Sequence, residues 1–315
     1  MTKILSQKIE SCSLIWDKAQ HNAFTDLIFF DQTWFCGFRE ASSHMSYDGS
    51  IRILKSPDGV NWSSFQELFW AGGDLRDPKF YINAKNQLGM LSGMRVAVCP
   101  SFNQGIVSLS WSLSASGFIL NPVMDHDIGV WRWSASKNFT DGYLYSVGYA
   151  RQKIKGALYR SKTGEKWEQL VFPFFPPSDC FANETSIVFS ESGKATCVVR
   201  RDRVDCFSLL GTSEPPYMEW HWSELNVQLG GPKLIRFKQK NLISYRIIDN
   251  NDASTWLGEI NPHDEPILTP LLKLPSGGDC SYPGLVIQNN HLYVSYYSSH
   301  EDKTAIYFAC IRLSS

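Results

Sequence analysis

The sequence predicts an all-β chain folded as a six-bladed β-propeller with four-stranded antiparallel blades. Three observations carry this. Short runs rich in aromatic and β-branched residues alternate with Gly, Asn, Asp and Pro turns, and helical periodicity is hard to find. A two-strand unit recurs six times, at intervals of roughly 40 to 60 residues, the kind of spacing expected of propeller blades. One turn is written twice, as LKSPDGVNWSSF (Leu54 to Phe65) and YRSKTGEKWEQL (Tyr159 to Leu170). Both copies read Ser-x-[Asp/Thr]-Gly-x-x-Trp, with Ser56, Asp58, Gly59 and Trp62 answered by Ser161, Thr163, Gly164 and Trp167.

The six units follow in order. NAFTDLIFF (Asn22 to Phe30) precedes TWFCGFR (Thr33 to Arg39), and RDPKFYI (Arg76 to Ile82) precedes QLGMLSGMR (Gln87 to Arg95). IGVWRWSAS (Ile128 to Ser136) precedes GYLYSVGYAR (Gly142 to Arg151), and NETSIVF (Asn183 to Phe189) precedes KATCVVRR (Lys194 to Arg201). GPKLIRF (Gly231 to Phe237) precedes NLISYR (Asn241 to Arg246), and YPGLVIQ (Tyr282 to Gln288) precedes HLYVSYYSSHE (His291 to Glu301). After each pair there is room for two more strands, such as SIRILKS and SSFQELFW. The last unit has room for only three, so ILSQKIESCSLIW near the N-terminus is expected to supply the fourth and close the ring. A pair of β-sandwiches is the alternative architecture; it accounts for the strands but not for the sixfold rhythm. The reading is one propeller domain over residues 1–315.

Composition bounds the function. The 315 residues carry a net charge of −1, so nothing global attracts nucleic acid or an anionic membrane. No apolar run approaches a membrane span, and the N-terminus has no signal-like apolar core, which predicts a cytoplasmic protein unless it is exported without a cleaved signal. The eight Cys stand singly, most within apolar runs, and read as buried free thiols. No CxxC and no Cys/His zinc spacing occurs, so neither metal nor cofactor is expected. Asn61, Asn138 and Asn183 sit in N-x-[ST] sequons that carry little weight without a secretion signal. The expected state is a monomer or weak oligomer.

Strand alternation places the starts of all first strands and the ends of all second strands on one face, around the axis. Second strands end in Arg39, Arg95, Arg151, Arg200–Arg201 and Arg246; the sixth ends in Ser298, Ser299, His300 and Glu301. First strands open with Asn22, Arg76–Asp77, Trp131, Asn183–Glu184, Lys233 and Tyr282. Converging guanidiniums repel unless anions separate them. Glu40, Asp77, Glu184 and Glu301 do part of that, and a carboxylate-bearing ligand gripped by bidentate forks would do the rest.

These residues resemble the sialidase superfamily of six-bladed propellers. The repeated turn looks like its Asp-box, one residue shorter, and SLSASGF (Ser112 to Phe118) looks like a degenerate third copy. In that family the turn is structural and remote from catalysis. HNAFTDLIFF…WFCGFRE, DLRDPK and YPGLV…VSYYSSHE resemble a bacterial branch of sialidase-like proteins whose members often lack an assigned function. The family's order of site residues is an Arg, an acid/base Asp, a Glu, two further Arg and a nucleophilic Tyr paired with the Glu. It is filled here by Arg39, Asp77, Glu184, Arg200 or Arg201, Arg246 and Tyr282. The family's first Arg sits in a Phe/Tyr-Arg-Ile-Pro motif opening the first strand. Here that strand opens HNAFTD, which leaves room for a uronic acid or another acidic sugar in place of sialic acid.

The resemblance implies a retaining exo-glycosidase. Arg39, Arg201 and Arg246 would clamp a substrate carboxylate, with Arg76, Arg95, Arg200, His300 and Glu301 also around the ligand. Tyr282 would attack the anomeric carbon with Glu184 as its base, and Asp77 would protonate the leaving oxygen. Asp26 competes for the acid role, and Trp131 and Trp133 read as stacking platform or core. His21, His44 and His300 could line the mouth, without the partner spacing of metal ligands. Two other functions stay open: a non-catalytic propeller binding an acidic glycan or anionic partner through the arginines, and a lyase acting on a uronate.

Overall fold

The computed structural model describes residues 8–96, 105–124, 127–150, 153–203, 205–262 and 267–313. Arg151 lies outside them, so its expected place at the mouth is not described. Every regular element among the described residues is a β-strand.

The strands form six four-stranded antiparallel sheets, five of them meanders of consecutive strands. Blade 1 comprises β2 (His21–Phe30), β3 (Thr33–Ala41), β4 (Ser50–Ser56) and β5 (Ser63–Leu68). Blade 2 comprises β6 (Gly73–Ile82), β7 (Leu88–Val96), β8 (Ile106–Ser114) and β9 (Gly117–Leu120). Blade 3 is β10 (Trp131–Lys137), β11 (Leu144–Ala150), β12 (Lys153–Ser161) and β13 (Glu168–Val171). Blade 4 is β14 (Phe181–Phe189), β15 (Ala195–Asp202), β16 (Leu209–Ser213) and β17 (His221–Glu224). Blade 5 is β18 (Gly230–Phe237), β19 (Lys240–Asp249), β20 (Asp252–Asn261) and β21 (Ile267–Lys273). Blade 6 contains β22 (Cys280–Gln288), β23 (His291–Ser298) and β24 (Ala305–Arg312), and its outer strand is β1 (Lys8–Trp16). β1 pairs antiparallel with β24, from Lys8 opposite Arg312 to Trp16 opposite Ile306. The ring is therefore closed by joining its two ends within blade 6, and each blade keeps only one short outer edge strand.

The repeated turns join the third and fourth strands of blades 1 and 3. Ser56 Oγ accepts from Gly59 N at 2.9 Å, and Ser161 Oγ accepts from Gly164 N at 2.9 Å. Trp62 Nε1 donates to Gly59 O at 3.1 Å, and Trp167 Nε1 to Gly164 O at 2.9 Å. Each turn thus satisfies its own backbone and folds a Trp over itself, with the glycine at positive φ. Both turns lie at the outer half of a blade, away from the axis.

The core sits between blades, where inner strands pack face to face. Blades 1 and 6 approach closely where β22 meets β2. A Cβ on Gly284 would lie 2.1 Å from Leu27 N, a backbone atom that cannot rotate away. Gly284→Ala should therefore destabilise the protein by about 3 kcal/mol, the upper end of overpacking costs. Urea denaturation reads this, and an unchanged midpoint would refute the close packing.

One expectation fails. Cys180 and Cys206 form a disulfide, with Cα atoms 5.9 Å apart. The physical reason is their position: neither lies inside a strand. Cys180 precedes β14 and Cys206 follows β15, and the pairing of Phe181 with Asp202 brings those two ends together. Cys36, Cys197 and Cys280 are buried free thiols, as expected, whereas Cys12 is exposed and Cys310 half-buried.

Candidate active site

All six innermost strands carry a β-bulge at the same height. In each, two residues face one on the second strand: Phe24–Thr25, Asp77–Pro78, Trp133–Ser134, Asn183–Glu184, Gly231–Pro232 and Tyr282–Pro283. Phe24, Asp77, Gly231 and Tyr282 have φ between 48 and 62°. For the three non-glycine residues this conformation costs about 1–2 kcal/mol each, a cost typical of functional sites. In three bulges the second residue is Pro, which has no N–H to leave unpaired. Bulges re-aim side chains, and here they turn Phe24, Asp77, Trp133, Glu184 and Tyr282 into one pocket on the axis.

The pocket has a volume of about 220 Å³. Trp131, Tyr149, Phe181 and Ile106 complete its apolar wall; Arg76 and Arg95 line another side, and His44 and Met45 the rim. This is below the roughly 300–1,000 Å³ of sites for drug-sized ligands. It suits a ligand of about one six-membered ring.

The Tyr282 hydroxyl donates to Glu184 Oε1 at 2.5 Å. Arg200 Nη1 donates to that same oxygen at 2.8 Å and to the Tyr282 oxygen at 2.9 Å. Gly231 N donates to Glu184 Oε2 at 2.9 Å, so both carboxylate oxygens are held. The Arg246 guanidinium sits 5.7 Å from the Tyr282 ring centroid. Burial opposes charge on Glu184, but Arg200 and the Tyr282 hydroxyl outweigh it and hold its pKa below the usual value. Burial, reinforced by Glu184, pushes Tyr282 well above an ordinary phenol. The resting pair is a neutral phenol beside an ionised carboxylate, the arrangement in which a hydroxyl can pass its proton to an adjacent base. Arg200 stays cationic, because Glu184, Tyr282 and Asp202 overcome its own desolvation.

Asp77 behaves oppositely. Burial raises its pKa to about 6, although Arg76 and Lys79 pull it down. Two carboxylates in one pocket, one held ionised and one lifted towards neutrality, are matched to base and acid roles. Asp26 is spent elsewhere: its Oδ2 accepts from Phe80 N at 2.7 Å and its Oδ1 from Lys233 Nζ at 3.1 Å.

The arginines divide into four groups, and the clamp expected from Arg39, Arg201 and Arg246 is not assembled. Arg39 is fully buried. It donates to Asp74 Oδ1 at 2.6 Å and to the carbonyls of Ser43 and Ser46 at 3.0 Å, so it braces the β3–β4 loop. Arg201 turns away to Phe207 O and Glu224, because neighbours on a strand face opposite ways. Arg200 and Arg246 flank Tyr282. Arg76 and Arg95 remain on the pocket wall, with their Nη1 atoms 3.7 and 3.8 Å from Asp74 Oδ2. Arg76 donates to His44 O at 3.0 Å and Arg95 to the Tyr47 hydroxyl at 2.8 Å. His300 and Glu301 are not on the pocket wall: His300 Nδ1 bonds Ser298 Oγ at 2.9 Å, and Glu301 accepts from the Tyr307 hydroxyl at 2.7 Å. Asp74, around which Arg39, Arg76 and Arg95 gather, had a sequence signal that went unread: it stands two residues before Arg76 and so shares its strand face. Because Arg39 is the sole hydrogen-bond partner of the buried Asp74 carboxylate among the described residues, while Arg76 and Arg95 still offset its charge, Arg39→Ala should cost about 2–3 kcal/mol of stability. A denaturant midpoint close to wild type would contradict that bracing role.

No family model matches the sequence, and no curated protein matches it. Solved structures do match. A protein of unknown function from Dyadobacter fermentans superposes with a TM-score of 0.83 at 15% identity, over 98% of this chain and 100% of that one. Trypanosoma rangeli sialidase gives 0.64 at 11% identity, over 96% of this chain and 58% of its own length. An α-L-arabinanase from Penicillium chrysogenum, solved with arabinobiose, gives 0.69 at 11% identity, over 96% and 98%. The chain thus has the sialidase-like six-bladed propeller fold, and it spans little more than half of the sialidase.

Proposed function

We propose that the protein is an exo-acting, retaining glycoside hydrolase for a carboxylate-bearing sugar. The observation that carries this is the 2.5 Å hydrogen bond from Tyr282 to Glu184, in one small pocket with the raised carboxyl of Asp77. As the anomeric carbon becomes cationic, the Tyr282 proton passes to Glu184 and the phenolic oxygen attacks. Asp77 gives its proton to the leaving oxygen as the glycosidic bond breaks. Water, deprotonated by Asp77, then attacks the anomeric carbon and displaces Tyr282, which takes its proton back from Glu184. A phenol suits an anionic substrate, because a carboxylate nucleophile would be repelled by it. Arg76 and Arg95 would grip the sugar's carboxylate: Arg95 Nη1 is buried with no hydrogen-bond partner among the described residues, an unmet donor that a ligand oxygen would satisfy.

Trypanosoma rangeli sialidase has been solved with 2,3-difluorosialic acid as a covalent intermediate, which supports the choice of probe. Aryl glycosides of sialic acid and of uronic acids should be screened for turnover. The 2,3-difluoro analogue of the accepted sugar should then label Tyr282 in a digested-peptide mass spectrum. An unsaturated sugar product would establish a lyase instead. Binding of acidic sugars with no turnover and no label would leave a carbohydrate-binding propeller.

A further inference from the structure

Beside the pocket, three side chains from three separate segments meet at one oxygen. His21 opens β2, His44 lies in the β3–β4 loop and Asp279 precedes β22. Asp279 Oδ2 lies 2.9 Å from His21 Nε2 and 2.7 Å from His44 Nδ1. The three candidate ligand atoms all fall within 4.8 Å of one another. The other carboxylate oxygen, Oδ1, accepts from the Tyr297 hydroxyl at 2.7 Å, which fixes the carboxylate plane. Neither Lys nor Arg pairs with Asp279 among the described residues; its only ionic partners are these two histidines.

We propose that His21, His44 and Asp279 bind a divalent transition-metal ion, zinc by preference. Two imidazole nitrogens and one carboxylate oxygen are the donor set of three-ligand zinc sites, which keep a fourth position for water. In a tetrahedral site with bonds of roughly 2.0 Å the ligand atoms stand about 3.3 Å apart, so the cluster needs only a small opening. The Tyr297 hydroxyl supplies the outer hydrogen bond that such carboxylates normally have. His21 is buried, and its Nδ1 has no hydrogen-bond partner among the described residues. A single hydrogen bond is a small return for desolvating that ring, and a metal bond at Nε2 offsets the burial.

The consequence is positional. The ion would tie the β3–β4 loop of blade 1 to blade 6. That loop provides the carbonyl of His44 to Arg76 and the hydroxyl of Tyr47 to Arg95. Metal would thus hold the loop that aims the two pocket arginines, whatever reaction the pocket performs, and the inference stands apart from the hydrolase reading.

The test uses the full chain, stripped with a chelator and dialysed. Zinc chloride is titrated calorimetrically, and cobalt(II) chloride is followed by visible absorption. One ion per chain is expected, with the intense absorption of tetrahedral cobalt. His44→Ala, a half-exposed position that the fold tolerates, should weaken binding at least tenfold, as should Asp279→Asn. Circular dichroism confirms folding, and His44→Ala alone decides if Asp279→Asn unfolds. No binding by wild type overturns the proposal, and so does wild-type affinity in folded His44→Ala. Glu10, His291 and Cys310 form a second cluster of metal-binding residue types; loss of binding in His291→Ala with retention in His44→Ala would place the ion there and equally overturn it.

Discussion

Tyr282→Phe should lower kcat/KM on an acidic aryl glycoside by about 10⁴-fold or more while leaving the protein folded. Removing an attacking atom costs the whole covalent route, not a share of it. The ring itself is a packing element, with Phe24, Trp133 and Tyr297 at 5.0, 5.9 and 6.0 Å between centroids, and phenylalanine keeps those contacts. The loss falls on one oxygen, and Glu184 retains Arg200 and Gly231 N as partners. A folded variant is therefore expected, with wild-type circular dichroism and a denaturant midpoint shifted by no more than about 1–2 kcal/mol. The difluoro label should also vanish from the peptide. Wild-type turnover in the folded variant would sink the assignment of Tyr282 as nucleophile, and a label on another residue would relocate it.

The propeller was legible because its evidence is additive. Six similar strand pairs, a duplicated turn around Trp62 and Trp167, and a last unit one strand short each point to the same ring. The site was legible only where backbone order decides it. Asp77, Glu184 and Tyr282 lie in the first halves of first strands, and the bulges deliver them to one pocket. The arginines were harder, because strand order places a residue at the mouth without saying which way it faces. Arg200 and Arg201 are adjacent and diverge, one to Tyr282 and one to Glu224. Arg39 stands at the same register as Arg246, opposite the residue just before the bulge, yet Asp74 and the β3–β4 loop absorb it entirely. The Pro after Asp77, Gly231 and Tyr282 was a local sign of the bulges, since Pro on an inner strand demands an unpaired position. Cys180 and Cys206 were misread for a related reason: the apolar runs around most of the cysteines said nothing of two that lie in loops.

Asp77→Asn should move activity and stability in opposite directions. Asparagine keeps the shape of the neutral carboxyl but cannot give up a proton, so kcat/KM on a substrate with a poor leaving group should fall about 10²–10⁴-fold. Stability follows from the sign of the shift. Asp77 titrates at about 6 in the fold against 3.8 when exposed, so the folded state holds the proton more tightly. Its contribution is fully favourable below about pH 4 and is lost as pH rises through 6. At pH 7 the ionised, buried carboxylate costs about 3 kcal/mol, from a gap of about 2 pKa units at 1.36 kcal/mol each. Asp77→Asn removes that cost, and the variant should be more stable than wild type at pH 7 by up to about 3 kcal/mol, yet nearly equal to it at pH 4. Urea midpoints at the two pH values measure this directly. Wild-type kcat/KM should fall as pH rises above about 6, in step with loss of the acid. Equal stabilities at both pH values would mean that burial does not raise Asp77. Retained activity would remove it from the proton path. The two readouts are independent, because one follows the charge of the side chain in the fold and the other its proton at the leaving oxygen. Agreement between them would mark Asp77 as a group kept at a cost to stability because the chemistry requires it.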